Sequence, residues 1–122
     1  MSETRAYFHN IRDTVTPNTQ AFIDGQYCDA ADSAKLENLN PATGEIIGTF
    51  SHCGAADVDR AVAAARRVFN QATWSRAAPE YRKEILLKLA DLVEKNKNEL
   101  AVLESVDAGK TITDCLHEVG TE

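Results

Sequence analysis

Between Asp57 and Lys110 apolar side chains recur every three to four residues, and that period commits a long stretch of the chain to amphipathic helix. Val58, Ala61, Val62, Ala65 and Phe69 form one stripe. Asp57 and Asp59 put negative charge at the positive end of the helix dipole, while Arg66 and Arg67 sit toward the other end. The small side chains of Ala61 and Ala63 to Ala65 admit close approach of another backbone, so this helix is expected to be buried on more than one side. A loop carrying Trp74 follows. Pro79 then occupies a first-turn position with Glu80 behind it, and Ile85, Leu86, Leu89, Leu92 and Val93 make a second stripe. Asn96 with Glu99 reads as a capping box that breaks the helix and starts a third, with Leu100, Leu103 and Val106 inward. Gly109 ends it, and a last turn or two capped by Thr111 or Thr113 runs through Leu116 to Val119. The whole stretch is expected to supply the core.

Ahead of Gly54 the period is shorter. Tyr7, Phe8, Ile11 and Val15 predict a short helix over residues 2–15, which Pro17 cannot continue. Ala21 to Cys28 holds two β-prone runs around Asp24-Gly25, the pair that tolerates the positive φ angles of a type I′ turn, and predicts a hairpin. Leu36 to Leu39 predicts another extended piece. In Asn40-Pro41-Ala42-Thr43-Gly44 the proline fixes φ and the glycine accepts φ > 0, so this is a turn, and Glu45 to Phe50 reads as the next strand. The resulting expectation is an α+β chain, mainly helical with three to five helices and a small amino-terminal β meander. It divides into a helical leader at 1–20, the meander at 21–53 and a helical region at 54–122.

With 122 residues, 43% apolar and 26% charged, the chain suits one globular domain, and no apolar run reaches the length needed to span a bilayer. No membrane partner is therefore expected. The net charge of -6 comes from 19 acidic against 13 basic residues, with the bases scattered among the acids, so no nucleic-acid partner is expected either. Residues 2–5, Ser-Glu-Thr-Arg, begin neither a secretory signal nor a transit pattern, and three cysteines without framework spacing fit reduced thiols. The expected location is the cytoplasm.

Several chemical motifs fail on inspection. Gly109-Lys110-Thr111 resembles the end of a phosphate-binding loop, but Glu104 stands where that loop needs glycine. The glycines, at 25, 44, 48, 54, 109 and 120, make no dinucleotide fingerprint. His52-Cys53 and Cys115-Leu116-His117 lack the spacing that converges zinc ligands on one face. No partnered base is recognisable for Cys28, Cys53 or Cys115 as a nucleophile. No catalytic or cofactor-binding residue is therefore assigned. The acidic residues of the long helices read as solvated faces.

A resemblance carries the reading further. Phe22-Ile23-Asp24-Gly25, Asn40-Pro41-Ala42-Thr43-Gly44-Glu45, the segment Asp57 to Ala65, Trp74, Leu87 to Glu94 and Leu103 to Lys110 occur here in an order and spacing that resemble the amino-terminal part of the aldehyde dehydrogenase superfamily. The similarity runs from about Ala21 to Lys110. Each piece is short, and the ordered set is specific. In style it is most similar to γ-glutamyl-γ-aminobutyraldehyde dehydrogenases of polyamine breakdown, with betaine-aldehyde and broad-specificity enzymes as rivals. The resemblance implies part of an α/β fold, one incomplete coenzyme-domain segment of a much longer NAD⁺- or NADP⁺-dependent oxidoreductase. In such enzymes a cysteine forms a thiohemiacetal, hydride passes to the nicotinamide, and a glutamate-activated water releases the acid. Those residues come later than the segment matched here, so the chain alone is expected to be inactive and to bind no NAD or NADP. By the same resemblance the backbone carbonyl of Leu39 and the side chain of Asp107 match two ligands of a structural monovalent-cation site, incomplete within these residues.

Apolar helices that face a sheet in such an enzyme would have more surface than this chain can hide. The expected partners are further copies of the chain, through those helices, and the missing carboxy-terminal part of the enzyme. The alternative is a stand-alone helical interaction module built on the same scaffold.

Overall fold

The computed structural model describes residues 3–120. In chain order it forms α1 (Glu3–Thr14), β1 (Ala21–Ile23), β2 (Gln26–Cys28), β3 (Lys35–Leu39), β4 (Ile46–Ser51), α2 (Ala55–Gln71), α3 (Pro79–Lys95), α4 (Lys97–Ala108) and α5 (Ile112–Gly120). The strands lie in two separate two-stranded sheets, β1 with β2 and β3 with β4. β1 and β2 pair antiparallel with Ala21 opposite Cys28 and Ile23 opposite Gln26. Between them Asp24 and Gly25 sit at φ 55° and 79°, the two positive angles of a type I′ turn, so the Asp-Gly signal fixes the register. In the second pair the Asn40 N–H donates to the Glu45 carbonyl at 2.9 Å and the His52 N–H to the Ala34 carbonyl at 2.9 Å, an antiparallel arrangement. Its turn closes on Asn40. That carbonyl accepts from the Gly44 N–H at 2.7 Å, its side-chain Oδ1 accepts from the Ala42 N–H at 2.9 Å, and Gly44 takes φ 73°.

The chain resolves into two compact units that interleave along the sequence. One contains the chain up to Pro17, Leu39–Ile47 and the chain from Leu86 onward; the other contains Asn18–Asn38 and Gly48–Ile85. In the first, α4 packs against both α1 and α5. Ala101 and Val102 on α4 and Cys115 on α5 are buried, Ala101 and Cys115 completely. The Asn98 side-chain amide donates to the Tyr7 hydroxyl at 3.0 Å, and Tyr7 and Phe8 meet edge to face with centroids 5.2 Å apart. In the second unit α2 packs against β1, and Phe22 and Tyr27 meet across the hairpin at 5.0 Å.

Helix ends follow local chemistry, with one correction. The helix breaks at Asn96, which stands at the N-cap position of α4 as expected, but the capping bond is missing: its side chain donates back to the Leu92 carbonyl at 2.7 Å and makes no bond to an α4 N–H. The Leu92 carbonyl already accepts from the Asn96 backbone N–H at 3.1 Å, so the side chain adds a second donor there and leaves the first N–H groups of α4 without a side-chain cap. α5 runs from Ile112 to Gly120 with Thr111, one of the two expected caps, at its start, accepting from the Asp114 N–H at 3.2 Å and donating to the Asp114 carboxylate at 2.7 Å. Gly109 closes α4 at φ 71° with its N–H on the Ser105 carbonyl, as its composition predicts.

The location of the core is the larger correction. The stripes over Val58–Phe69 and Ile85–Val93 were the predicted interior. Val58, Val62 and Phe69 are exposed, as are Leu86, Leu89 and Leu92, and of the residues of α2 only Asp57 is buried while none of α3 is. On α4, Ala101 and Val102 are buried while Leu100 is exposed and Leu103 and Val106 are half-buried. Periodicity shows that a helix has an apolar face. It does not show whether anything within the chain meets that face.

Candidate functional site

Three groups of residues qualify by chemistry. The first is built around Asp57, which stands in the first turn of α2 and is 2% exposed. Its Oδ2 accepts from the Gly54 N–H at 3.0 Å, its Oδ1 accepts from the Ala31 N–H at 3.0 Å, and the Arg60 Nη2 donates to Oδ1 at 2.7 Å. Burial alone pushes this carboxyl up. The two backbone donors and the Arg60 guanidinium outweigh it and hold the group below the usual carboxylate range. Arg60 is raised in turn by its bond to Asp57. Every acceptor position here is matched by a local donor, so this carboxylate joins the β2–β3 connection to the start of α2 and is not poised for proton transfer. The sequence signals the acid at the helix start. It does not signal Ala31, which lies 26 residues away.

The cysteines form the second group. Cys28 and Cys53 are half-buried in one unit and Cys115 is buried in the other, all three as free thiols. Burial pushes the Cys53 thiol up, with the negative charge of Asp57 adding to it, and burial pushes Cys115 up as well, with Glu104 adding to it. Raised thiols of this kind are poor nucleophiles at neutral pH. The Arg60 Nη2 lies 3.9 Å from the Cys28 sulfur, the one cation placed against a thiol among the described hydrogen bonds.

The third group is the junction of the Asn40–Gly44 turn with the end of α4, which brackets Leu39 and Asp107. Both residues are exposed and belong to the same unit. A methyl group built on Gly109 would stand 2.9 Å from Pro41 Cγ, so the two segments touch two residues beyond Leu39 and two beyond Asp107. Beside this contact the Ser105 hydroxyl donates to the Lys110 carbonyl at 2.8 Å. The Lys110 ammonium lies 2.8 Å from Glu118 and 3.0 Å from Glu104, and these bonds, Glu118 first, raise its pKa. Among the described residues no cluster of three or more His, Cys, Asp or Glu side chains is arranged around a common metal position. A site made of a backbone carbonyl and one carboxylate is not a cluster of that kind.

Among the described residues the five helices and short antiparallel strands match the amino-terminal portion of the aldehyde dehydrogenase fold. The chain belongs to the aldehyde dehydrogenase family, whose model matches residues 27–121. Aminoacetaldehyde dehydrogenase of Pseudomonas aeruginosa is 43% identical over 114 residues, which is 93% of this chain and 23% of that protein. A crystal structure of indole-3-acetaldehyde dehydrogenase complexed with NAD⁺ superimposes with a TM-score of 0.91 at 37% identity, covering 95% of this chain and 24% of that one. The γ-glutamyl-γ-aminobutyraldehyde dehydrogenase of Burkholderia cenocepacia superimposes with a TM-score of 0.88, also at 37% identity, over 91% of this chain and 22% of that one. The chain thus spans about a quarter of the length of the relatives it matches. Among the described residues no helix is long and apolar enough to cross a membrane.

Proposed function

We propose that these residues are the amino-terminal scaffold of an NAD(P)⁺-dependent enzyme that oxidises an aminoaldehyde of the γ-glutamyl-γ-aminobutyraldehyde type, in polyamine breakdown, to its acid. The observation that carries the reading is the family match over residues 27–121. The substrate class is supported by relatives named for aminoacetaldehyde and γ-glutamyl-γ-aminobutyraldehyde. On this reading the nucleophile, the general base and the coenzyme contacts are supplied by chain beyond these residues, and the 122-residue chain alone turns over no aldehyde. The raised thiols of Cys53 and Cys115 support that division of labour. The three free thiols support a cytoplasmic setting. The contact of Pro41 with Gly109 supports the Leu39 carbonyl and the Asp107 carboxylate as two ligands of a monovalent-cation site completed elsewhere.

The test is a chimera in which this chain replaces the matching first quarter of the Pseudomonas aminoacetaldehyde dehydrogenase. NADH formation that depends on the aminoaldehyde, present in the chimera and absent from the 122-residue chain, supports the proposal. An inactive but folded chimera, or an active short chain, overturns it.

The exposed faces of α2 and α3 favour a second property of the chain by itself, self-association through Val58, Val62, Leu86, Leu89 and Leu92. Light scattering is expected to give a mass that rises with concentration, and a concentration-independent monomer contradicts it.

A further inference from the structure

Cys28 and Cys53 take no part in aldehyde oxidation, and the fold brings them to one place. Cys28 ends β2. Phe22 and Tyr27 meet on one face of the hairpin, and alternation along the strand turns Cys28 to the other, toward α2. There the Arg60 Nη2 uses its two hydrogens separately, one on Asp57 Oδ1 at 2.7 Å and one on the Cys28 sulfur at 3.9 Å. Cys53 stands one residue before Gly54, the N-cap of α2, whose N–H donates to Asp57 Oδ2 at 3.0 Å. The Ala31 N–H, three residues past Cys28, donates to Asp57 Oδ1 at 3.0 Å. One buried carboxylate thus ties the chain just after Cys28 to the chain just after Cys53. The sulfurs sense each other across this tie: burial, then Asp57, then Cys28 push the Cys53 thiol up. Both are free and half-buried in the same unit, whereas Cys115 is buried in the other. Two accessible thiols on tethered segments make a dithiol, and a dithiol exchanges with small disulfides.

We propose that Cys28 and Cys53 form a reversible intramolecular disulfide by exchange with a small-molecule disulfide such as oxidised glutathione, clamping the end of β2 to the start of α2. The Cys28 thiolate attacks one sulfur of oxidised glutathione, which forms a mixed disulfide and releases one glutathione thiolate. The Cys53 thiolate then attacks the Cys28 sulfur, closing the Cys28–Cys53 bond and releasing the second glutathione. Two protein thiols are oxidised, one disulfide is reduced to two thiols, and the two cysteine protons end on glutathione. Excess reduced glutathione reverses both steps.

The test incubates the native 122-residue chain with oxidised glutathione and reads the intact mass and a proteolytic digest. The expected product has lost two hydrogens and yields a cross-linked peptide joining Cys28 to Cys53, with Cys115 still a free thiol. Measured against the glutathione couple, the effective concentration of the pair is expected to fall about tenfold or more in urea, because the fold supplies the proximity. The cross-link is also expected to raise the urea midpoint, since it restricts the unfolded chain while fitting the folded one. Cys53→Ser is expected to stop at a glutathione adduct on Cys28. If that variant melts, the wild-type effective concentration in buffer against urea still decides. A stable adduct on Cys28 with Cys53 present, a bridge between two chains instead of within one, equal effective concentrations in buffer and urea, or a lowered midpoint each overturn the proposal.

Discussion

Replacing Gly109 by alanine tests how the turn at Asn40–Gly44 is locked to the end of α4. Two separate costs are expected. Gly109 takes φ 71°, where an L side chain crowds the following carbonyl, and alanine there costs about 1–2 kcal/mol relative to glycine. The new methyl would also stand 2.9 Å from Pro41 Cγ and 3.5 Å from Pro41 Cβ. The second distance is ordinary contact. The first needs the ring or the helix end to shift, at a cost of about 1–3 kcal/mol for overpacking. Gly109→Ala should therefore lose about 2–5 kcal/mol. Pro41→Ala removes Cγ and keeps Cβ, so in that background Gly109→Ala should cost only the backbone part, and the double-mutant cycle should report a favourable coupling of about 1–3 kcal/mol. Urea unfolding followed by far-ultraviolet circular dichroism reads all four chains, with the slope unchanged and the midpoint falling by about 1 M or more for Gly109→Ala. An equal penalty in both backgrounds refutes the contact. A loss below about 1 kcal/mol refutes the backbone argument as well.

The reverse substitution is expected to help at the end of α2: Ala72 closes that helix at φ 60°, so Ala72→Gly should stabilise by about 1 kcal/mol in the same assay. Asp57 has a folded pKa below its unfolded value, so its contribution is present above about pH 4 and is lost as pH falls through the depressed value. Asp57→Asn should accordingly flatten the acid limb of a stability-against-pH curve, and an unaltered limb would place the acid sensitivity elsewhere. Thiol titration of the folded chain with a disulfide reagent should leave Cys115 unmodified until urea is added, while the half-buried Cys28 and Cys53 react before it, Cys53 slowly because its thiol is raised. Modification of Cys115 at the same rate as Cys28 in the native chain would contradict its burial.

The sequence by itself determined the local frame. Asp24-Gly25, Gly44 and Gly109 announce positive φ because few other residues enter that region cheaply, and each takes it. Pro17 and Pro79 bound helices because the ring removes a donor, and the change of period at Gly54 marks where strand gives way to helix. These are decisions made within a few residues. Family membership was legible for a related reason: it rests on an ordered series of short segments, which survives without any knowledge of their contacts. The tertiary structure decided which apolar face is covered. Ala101 and Val102 are buried because α1 and α5 close on that side of α4, and the larger stripes of α2 and α3 stay exposed because no described residue covers them. It also decided that Asp57 holds the Ala31 N–H and that Asn96 turns back to Leu92. A side chain's spacing along one element limits the directions in which it can point. The partner that meets it there is chosen by other parts of the chain, 26 residues away for Asp57, and only folding brings the two together.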